Sequence, residues 1–417
     1  MTRVLVAGGG AAGVAAAVSA SGAGAEVTLA ERSQRLAEDK RSFLDALAGA
    51  PPRCDPSEAE RLLAANDVEV LLGEPVVSVD PSSRSVRTRS GRLEYGALVL
   101  ASGSSWLDAG VRGASKGGVF SLRSGEDYSK LHDALDRLAR LAIVGSFPLS
   151  LLAAQAVASR TAVSVFVGAG PVPAFTERML ARVTSAAAGA GVLVVRETAD
   201  AIVGLGTAEA VVSGGSVHPC DGVALLPRAA PNLPAIDCAR GRNGGALVDG
   251  SMRTALNGVY AAGECAEVRC GLGSLPCRLG SSSVAMGEAA GTNASGGTAR
   301  AVLSRCIAVD LFGVELCTAG IDILGARRLG LDAVELACYS DGLDSSLVYE
   351  RSTRALLGVQ LAGLGALSVA DYASYAVSTG ASLDDLLHHE SPHLPSSCSS
   401  RSPISLTGGR TRASARG

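Results

Sequence analysis

The chain has 417 residues, 47% of them apolar and 3% aromatic, which is enough for two or three domains with cores of Ala, Val, Leu and Ile. The formal net charge of −3 disfavours a dominant basic surface for nucleic acid. The 10 cysteines are spread along the chain, unlike those of a small disulfide-rich domain. Because Cys265, Cys270 and Cys277 lack the paired spacing of a structural zinc site, we expect no metal centre.

The N-terminus begins with an uncharged run from Val4 to Ala25. Its length suits a signal peptide or a membrane span, but it consists mostly of Gly, Ala and Ser. We expect instead a strand from Arg3 to Ala7, a helix from Ala11 to Ser21 and a strand from Glu26 to Ala30. This βαβ order predicts a parallel sheet with a right-handed crossover, in a cytoplasmic protein without a membrane span.

A glycine motif, Gly8-Gly-Gly10-Ala-Ala-Gly13, lies between that strand and that helix. In a G-x-G-x-x-G motif the first glycine allows the tight turn, the second lets the backbone approach a pyrophosphate, and the third lets helix and strand pack closely. Glu31 ends the second strand, where its carboxylate can accept hydrogen bonds from a ribose. An acid there predicts FAD or NAD rather than NADP, and the alternative is a glycine turn in a nucleotide-free domain.

A second unit of the same order begins about 135 residues later. We predict a strand at 141–144, a turn at Gly145, a helix at 149–159 and a strand at 163–167. A further strand runs into the glycine turn of Gly258–Glu264. Beyond Gly297 the pattern predicts a separate α+β domain with strands at 302–309, 331–339, 346–349 and 356–361 and helices near 318–329 and 368–378. The tail from Ser391 is rich in Ser, Pro, Arg and Gly, which indicates irregular structure.

The order of these landmarks resembles that of the FAD-dependent pyridine nucleotide–disulfide oxidoreductases over about residues 1–395, closest to the coenzyme A-disulfide reductase and NADH oxidase branch. Leu98–Ser104 resembles the family's L-V-x-A-T-G-S segment, and Asn257–Glu264 resembles its second FAD motif, with Glu264 where Asp is usual. Residues 279–287 and 290–293 resemble the helix that packs under the flavin. The resemblance implies FAD contacts at Gly8, Gly10, Ala11, Ala12, Gly13, Glu31, Arg32, Ala101, Ser102, Gly103, Gly263, Glu264 and Ala285.

The fold that the resemblance implies is α/β, with two Rossmann-like dinucleotide-binding domains and a C-terminal α+β interface domain. An FAD-binding domain of residues 1–108 and 235–300 would be interrupted by an NAD(P)-binding-like domain of residues 109–234. Residues 301–395 would form the dimerisation domain, followed by an irregular tail of residues 396–417. A homodimer is therefore expected.

The chain departs from the family at the redox cysteine. The family places this cysteine about ten residues after the first ribose acid, where this chain reads Glu38-Asp-Lys-Arg-Ser-Phe-Leu-Asp45. Ser42 or a close neighbour occupies the expected position, and a hydroxyl cannot form a mixed disulfide or a thiolate over the flavin. Cys54, the nearest thiol, lies about twelve residues too late.

The nicotinamide-nucleotide motif is also degenerate, because the chain reads Gly145-Ser-Phe147-Pro-Leu-Ser150 in place of G-x-G-x-x-G. Phe147 puts a ring where the backbone should approach phosphate, and Pro148 removes an N–H donor. Val167 ends the next strand, so the ribose carboxylate is missing, and no Arg or Lys sits beside it. The domain is therefore expected to keep its fold, whereas NAD(P)H binding is left open.

At the far end, His388-His-Glu-Ser-Pro-His393 lies where the family has a C-terminal segment that reaches the partner subunit's active site. We take His393 as a candidate proton donor, with His388 as the alternative, since histidine titrates near neutral pH. A surface loop is the other interpretation.

The leading hypothesis is an FAD-dependent oxidoreductase, NAD(P)H-linked, that passes electrons from the flavin to a small acceptor such as oxygen or a quinone without the family's redox cysteine. The alternative is a catalytically silent FAD-binding homologue with a structural or regulatory role.

Overall fold

The computed structural model describes residues 2–388 except 38–43, 45–46, 50–55, 108–109, 123–124, 169–174, 227–228, 271–272, 277–279 and 340–341. The chain divides into two compact units. Unit 1 comprises Met1–Ser115, Val119–Leu135 and Ala224–Val302, and unit 2 comprises Lys116–Gly118, Asp136–Val223 and the residues from Leu303 onward. The three-domain boundaries that the sequence suggests stay a prediction.

Strands separate the helices along the chain, except between the last two helices. The strands are β1 (Arg3–Ala7), β2 (Glu26–Glu31), β3 (Glu69–Leu72), β4 (Ser78–Asp80), β5 (Ser85–Arg87), β6 (Arg92–Glu94), β7 (Ala97–Leu100), β8 (Ser104–Trp106), β9 (Val119–Ser121), β10 (Arg140–Val144), β11 (Ala162–Phe166), β12 (Val192–Val195), β13 (Ala199–Val203), β14 (Ala210–Ser213), β15 (Ser216–Pro219), β16 (Gly222–Leu225), β17 (Ala229–Pro231), β18 (Ala246–Val248), β19 (Val259–Ala261), β20 (Ala266–Cys270), β21 (Gly273–Pro276), β22 (Ile307–Leu311), β23 (Val314–Gly320), β24 (Ala333–Tyr339), β25 (Leu343–Glu350) and β26 (Leu356–Gly363). The helices are α1 (Ala11–Gly22), α2 (Pro56–Ala65), α3 (Gly125–Ala134), α4 (Leu149–Val157), α5 (Glu177–Gly189), α6 (Gly280–Ala294), α7 (Ile323–Arg328), α8 (Ala370–Thr379) and α9 (Leu383–His388), with short 3-10 helices at Leu135–Arg137 and Gly263–Cys265.

The centre of unit 1 is a five-stranded parallel sheet in the order β19-β7-β1-β2-β3. Strands β1 and β7 are buried over almost their whole length, as expected for a parallel sheet that is covered on both faces. The βαβ order predicted at the N-terminus is confirmed, and the uncharged run forms most of β1 and all of α1. Among the helices of the described residues, none combines the length and apolarity that a membrane crossing needs.

Helices α1 and α6 pack with their backbones in contact. A Cβ atom added at Gly287 would lie 2.2 Å from the carbonyl oxygen of Ala12, and one at Gly291 would lie 2.1 Å from that of Ala16. One turn further on, the Ser295 hydroxyl donates a hydrogen bond of 3.3 Å to the carbonyl oxygen of Ala20. Because positions four residues apart share one helix face, these small residues form two matching stripes that join the N-terminal segment to a segment about 270 residues later.

Unit 2 contains three parallel strands in the order β12-β11-β10, a three-stranded antiparallel sheet β13-β14-β15 and a five-stranded antiparallel sheet β22-β23-β26-β25-β24. Asp344 on β25 is fully buried and pairs with Arg178 and Arg182 of α5, at N–O distances of 3.4 and 3.2 Å. A buried carboxylate needs such partners because its transfer from water is unfavourable. The pair therefore fixes α5 against the C-terminal sheet.

Two element boundaries in the C-terminal part differ from the sequence-based expectation. The strand predicted at 302–309 begins only at Ile307, and residues 314–320 form strand β23 where a helix was predicted from Thr318. Phe312 and Gly313 both have positive φ, +55° and +79°, as in a two-residue type I′ hairpin turn. The turn brings β23 back along β22, and the helix α7 starts after Asp322, whose side chain accepts from the Gly325 N–H.

The α1–α6 contact predicts different outcomes for two Gly-to-Ala substitutions. Gly291→Ala should lower the free energy of unfolding by about 1–3 kcal/mol, because the new methyl group overlaps a backbone oxygen that cannot move without shifting the helix. Gly22→Ala, at an exposed helix position with no atom within 4 Å of the new Cβ, should be neutral or slightly stabilising. Chemical denaturation of both variants tests this, and equal stabilities would contradict the packing.

Candidate functional site

Four loops of unit 1 meet at one edge of the parallel sheet, because β1, β2, β7 and β19 all end there. These loops carry the glycine motif after β1, Glu31 at the end of β2, Ala101 to Gly103 after β7, and Gly263 and Glu264 after β19. Ligands of open parallel sheets bind at this carboxyl edge. The structure therefore brings together, in one place, predicted site residues from three distant parts of the chain.

The glycine motif is shaped by its neighbours in the protein at two of its positions. Gly8 has a φ of +116°, and a Cβ there would lie 2.3 Å from the carbonyl oxygen of Ala101. A Cβ at Gly13 would lie 1.8 Å from the carbonyl oxygen of Gly8, so the first turn of α1 sits directly on the loop. Gly10 is different, because a Cβ there would have no atom within 4 Å. The protein fold alone gives no steric reason for glycine at this position.

Glu31 is half-buried and holds the glycine loop. One carboxylate oxygen accepts a hydrogen bond of 2.6 Å from the N–H of Gly9, and the other accepts one of 2.7 Å from the N–H of Ser33. A carboxylate offers about four acceptor positions, so capacity for further donors is left. The predicted contact with a ribose stays a prediction, whereas the bond to the loop is a role that the sequence did not indicate.

The segment after β7 is fixed by Asn232. The Ser102 hydroxyl donates to the Asn232 carbonyl oxygen at 2.5 Å, and the Asn232 N–H donates to the Gly103 carbonyl oxygen at 2.9 Å. The Asn232 side-chain amide also donates to the Ser102 carbonyl oxygen at 3.3 Å. Asn232 is about 130 residues away in sequence, in a stretch without a recognisable motif, and sequence reasoning missed it.

Glu264 lies in the short 3-10 helix that follows β19. Its carboxylate accepts a hydrogen bond of 2.5 Å from the hydroxyl of Ser104, the first residue of β8. A Cβ at Gly263 would lie 2.9 Å from the Cβ of Ala12 in the first turn of α1, so the two FAD-type motifs are in contact. Ser104 ends the Leu98–Ser104 motif, yet the sequence analysis did not count it as a site residue.

The remaining predicted cofactor residues lie in the first turn of α1, directly after β2 and on α6. Ala11 and Arg32 are exposed, and Ala12 is buried in the first turn of α1. Ala285 is half-buried on α6, two residues before the contact of Gly287 with α1. Their positions are compatible with the predicted roles, which stay predictions.

The described part of the site contains one thiol, Cys265, next to Glu264. It is fully buried, and its single S–H is shared between the carbonyl oxygens of Leu100 and Ala262, both 3.3 Å from the sulfur. Burial raises the pKa of this thiol, and a thiol that stays protonated is a poor nucleophile. Cys265 is therefore poorly suited to act as a redox thiol.

The two predicted catalytic residues, Ser42 and His393, lie outside the described residues, as does Cys54. Their roles stay predictions. In the residues that the structure does describe, no group of three or more His, Cys, Asp or Glu side chains is arranged to hold a metal ion.

The second glycine turn lies in unit 2, after strand β10. It still lies between two parallel strands, but aromatic and apolar side chains surround it. The ring of Phe147 packs edge-to-face on that of Phe175, with centroids 5.6 Å apart. Phe147 is one of the residues that line a cleft at the ends of β10 and β11. The other lining side chains are apolar, apart from Thr184 and the cationic Arg196. The lining residues are Phe147, Leu151, Val167, Leu180, Val183, Thr184, Val194 and Arg196.

Arg196 shares this cleft with Val167 because β11 and β12 are paired in parallel, so the residues that follow them are neighbours. From the sequence, no basic residue is expected beside Val167. None is adjacent to Val167 in sequence, but Arg196 lines the same cleft in the structure. Arg196 makes a bidentate ion pair with Glu177, the first residue of α5, and this pairing lowers the pKa of the carboxyl group of Glu177. The guanidinium group is thus already engaged by a carboxylate at the cleft.

Comparisons with known proteins support the same scaffold. The chain is 26% identical over 210 residues to an NADH oxidase of Streptococcus pyogenes serotype M6. This alignment covers 46% of this chain and 45% of that protein. It is 28% identical over 229 residues to a rubredoxin-NAD(+) reductase of Pseudomonas putida. That alignment covers 51% of this chain and 58% of the reductase. The chain thus spans about half the length of these curated relatives.

The fold extends over nearly the whole chain. The structure of a water-forming NADH oxidase from Lactobacillus brevis bound to NADH superposes with a TM-score of 0.85 at 19% identity, covering 95% of this chain and 94% of that one. The family model for pyridine nucleotide-disulphide oxidoreductases matches residues 2–289. The chain therefore belongs to the pyridine nucleotide-disulphide oxidoreductase family, which is a family of FAD-dependent enzymes that also bind NAD(P)H, and the predicted family, fold and cofactor class are confirmed.

Proposed function

We propose that this protein is an FAD-dependent oxidoreductase that takes electrons from NAD(P)H and passes them from the flavin to a small acceptor. The observation that carries the proposal is the sheet edge of unit 1, where the β1, β2, β7 and β19 loops converge. The names of the relatives, an NADH oxidase and a rubredoxin-NAD(+) reductase, support NADH as the donor.

The residues at this edge fit the ADP half of FAD. Gly10 opens α1 and has free space where a side chain would stand, which suits the close approach of a pyrophosphate. The first N–H groups of a helix are free to donate, and the helix dipole favours negative charge. Glu31 has acceptor capacity left beside the loop that it holds, which suits the ribose hydroxyls.

The second half of the proposed site comes from Glu264 and Ser104. The hydrogen bond between them fixes the carboxylate, so it is oriented before a ligand arrives. FAD, when bound, supplies the two-electron redox chemistry. In this proposal the chain's residues bind and orient the cofactor, and no thiol of the chain takes part because position 42 is serine.

A non-thiol acceptor follows from the missing cysteine. We therefore favour oxygen, a quinone or a small redox carrier over a disulfide substrate. The second candidate, a catalytically silent FAD-binding homologue, is favoured by one observation, the Phe147–Phe175 pair at the glycine turn where a pyridine nucleotide would bind in unit 2.

A reductant titration distinguishes the two candidates. The purified protein should be yellow, and anaerobic addition of NADH or NADPH should bleach the flavin absorbance within seconds. A flavin that dithionite bleaches but neither nucleotide reduces would favour the silent homologue. A colourless protein that FAD cannot reconstitute would exclude both.

Gly10→Val tests the assignment of the pyrophosphate position. Since the new side chain meets no protein atom at its Cβ, the variant should fold normally but lose bound FAD by at least about tenfold in affinity, or about 1.4 kcal/mol. Circular dichroism and the flavin-to-protein absorbance ratio check the two parts. Gly22→Val, at the exposed end of the same helix, serves as the control, and stoichiometric flavin in Gly10→Val would show that the motif is wrongly assigned.

We also propose a homodimer formed through the C-terminal part of unit 2. Exposed apolar side chains support this proposal: Leu364 and Tyr375 are 81% and 68% exposed, and Leu364 lies in the turn that leads to α8, which carries Tyr375. Apolar side chains at such exposure are typical of interaction surfaces when they cluster.

The double substitution Leu364→Asp and Tyr375→Asp should convert a dimer into a monomer, because it places charges in an apolar interface. Size-exclusion chromatography with light scattering measures the mass. Leu205→Asp, at a residue that is 95% exposed in the turn after β13, should leave the dimer intact. A double variant that stays dimeric would place the interface elsewhere.

A further inference from the structure

Two cysteines of unit 2 lie against each other beneath helix α8. Cys317 is on β23 and fully buried, and Cys306 is half-buried immediately before β22. The register pairs Ala308 with Cys317, so Cys306, two residues before Ala308, lies on the same face of the sheet as Cys317. Cys306 packs against a buried cluster that includes Cys317.

The segment around Cys306 is held in place by other contacts as well. The N–H of Gly320 donates to the carbonyl oxygen of Ser304 at 2.6 Å, and the hydroxyls of Ser304 and Ser374 are hydrogen-bonded. The Cys306 sulfur lies 4.0 Å from the carbonyl oxygen of Ala370, the first residue of α8. Both cysteines therefore belong to one packed layer between the sheet and this helix, at the point where the chain enters unit 2.

The two thiols differ in reactivity. Interaction with the neighbouring Cys317 thiol lowers the pKa of Cys306, while burial and the nearby Asp371 carboxylate oppose this shift. The same interaction, with burial and the charges of Cys306 and Asp371, raises the pKa of Cys317. Because Cys306 is half-buried and Cys317 is fully buried, an oxidant from solution reaches Cys306 first, so Cys306 is the attacking group and Cys317 the resolving one.

We propose that Cys306 and Cys317 form a redox-active dithiol that hydrogen peroxide converts into a disulfide between β23 and the segment before β22. The Cys306 thiolate attacks one peroxide oxygen and breaks the O–O bond, which gives a sulfenic acid and, after protonation, one water. The Cys317 thiol then attacks the sulfenic sulfur, the S–S bond forms, and a second water leaves. Two electrons and two protons pass from the thiols to the peroxide.

The bond requires the sulfurs to approach to about 2.05 Å, and Cys306 lies outside the paired part of β22, where the sheet's ladder does not fix its backbone. The disulfide would tie down the residues through which the chain passes from unit 1 into the C-terminal sheet. Such reversible disulfides inside otherwise reduced proteins are commonly redox sensors. This inference does not depend on the proposed flavin chemistry.

Peptide mapping of the whole chain tests the proposal. The protein is reduced, desalted, exposed to hydrogen peroxide, alkylated with N-ethylmaleimide after unfolding and digested with trypsin. No Lys or Arg lies between Arg305 and Arg327, so both cysteines fall in the peptide 306–327. That peptide should be two hydrogens lighter and unalkylated, and it should take two alkyl groups after dithiothreitol. Two alkyl groups on the peptide from peroxide-treated protein would overturn the proposal.

Three variants assign the roles of the two thiols. Cys317→Ser should leave a sulfenic acid at Cys306 that dimedone captures, whereas Cys306→Ser should leave Cys317 as a free thiol. Cys338→Ser, at a half-buried cysteine on β24, should form the 306–317 disulfide at the wild-type rate. In the wild-type protein, Cys306 should be oxidised about tenfold faster than Cys338. Equal rates, or dimedone capture at Cys317 in place of Cys306, would contradict the assignment.

Discussion

The contact between α1 and α6 is the constraint on which the rest of unit 1 depends. Two helices approach until their backbones touch only when the residues between them are very small. Ala12 and Ala16 on α1 face Gly287 and Gly291 on α6, and the first and last of the family motifs thereby become neighbours. The contact positions the turn after β1 against the turn after β19, although about 250 residues separate them in sequence.

The site that results is held mostly by hydrogen bonds between loops. Glu31 holds the glycine loop, Asn232 holds the segment after β7, and Ser104 holds Glu264. Each bond joins residues from different strands or motifs, so the loops form one preorganised edge rather than separate turns. A preorganised site loses less conformational freedom when a ligand binds, which suits a cofactor that stays bound through many reaction cycles.

Sequence reasoning predicted the parts of this architecture that depend on local pattern. The G-x-G-x-x-G motif, the strand that ends at Glu31 and the second FAD-type motif around Glu264 are each visible within about ten residues. The Asn232 contacts and the closeness of Arg196 to Val167 depend on strand pairing, which a single sequence does not reveal. The hairpin at Phe312 and Gly313 was missed because Phe is an unusual residue for a position with positive φ, and the helix predicted from Thr318 was wrong for the same reason.

The two units have diverged to different extents. Unit 1 keeps the small residues and the acids of the proposed FAD site, whereas unit 2 keeps its parallel strands but has an aromatic pair and an ion pair at the cleft beside the corresponding turn. The described thiol nearest the proposed flavin site is buried, and the proposed redox-active pair of cysteines lies on β23 and immediately before β22. The chemistry of this chain is therefore expected to differ from that of disulfide-reducing members of the family, although the cofactor scaffold is shared.

The central claim is that the α1–α6 contact assembles one FAD site from two distant segments. The most direct test is the FAD dissociation constant of Gly291→Ala, measured by flavin fluorescence under conditions in which the variant is fully folded. The account predicts a dissociation constant at least about tenfold above that of the wild-type protein, with Gly22→Ala unchanged. An unaltered dissociation constant in Gly291→Ala would contradict the account.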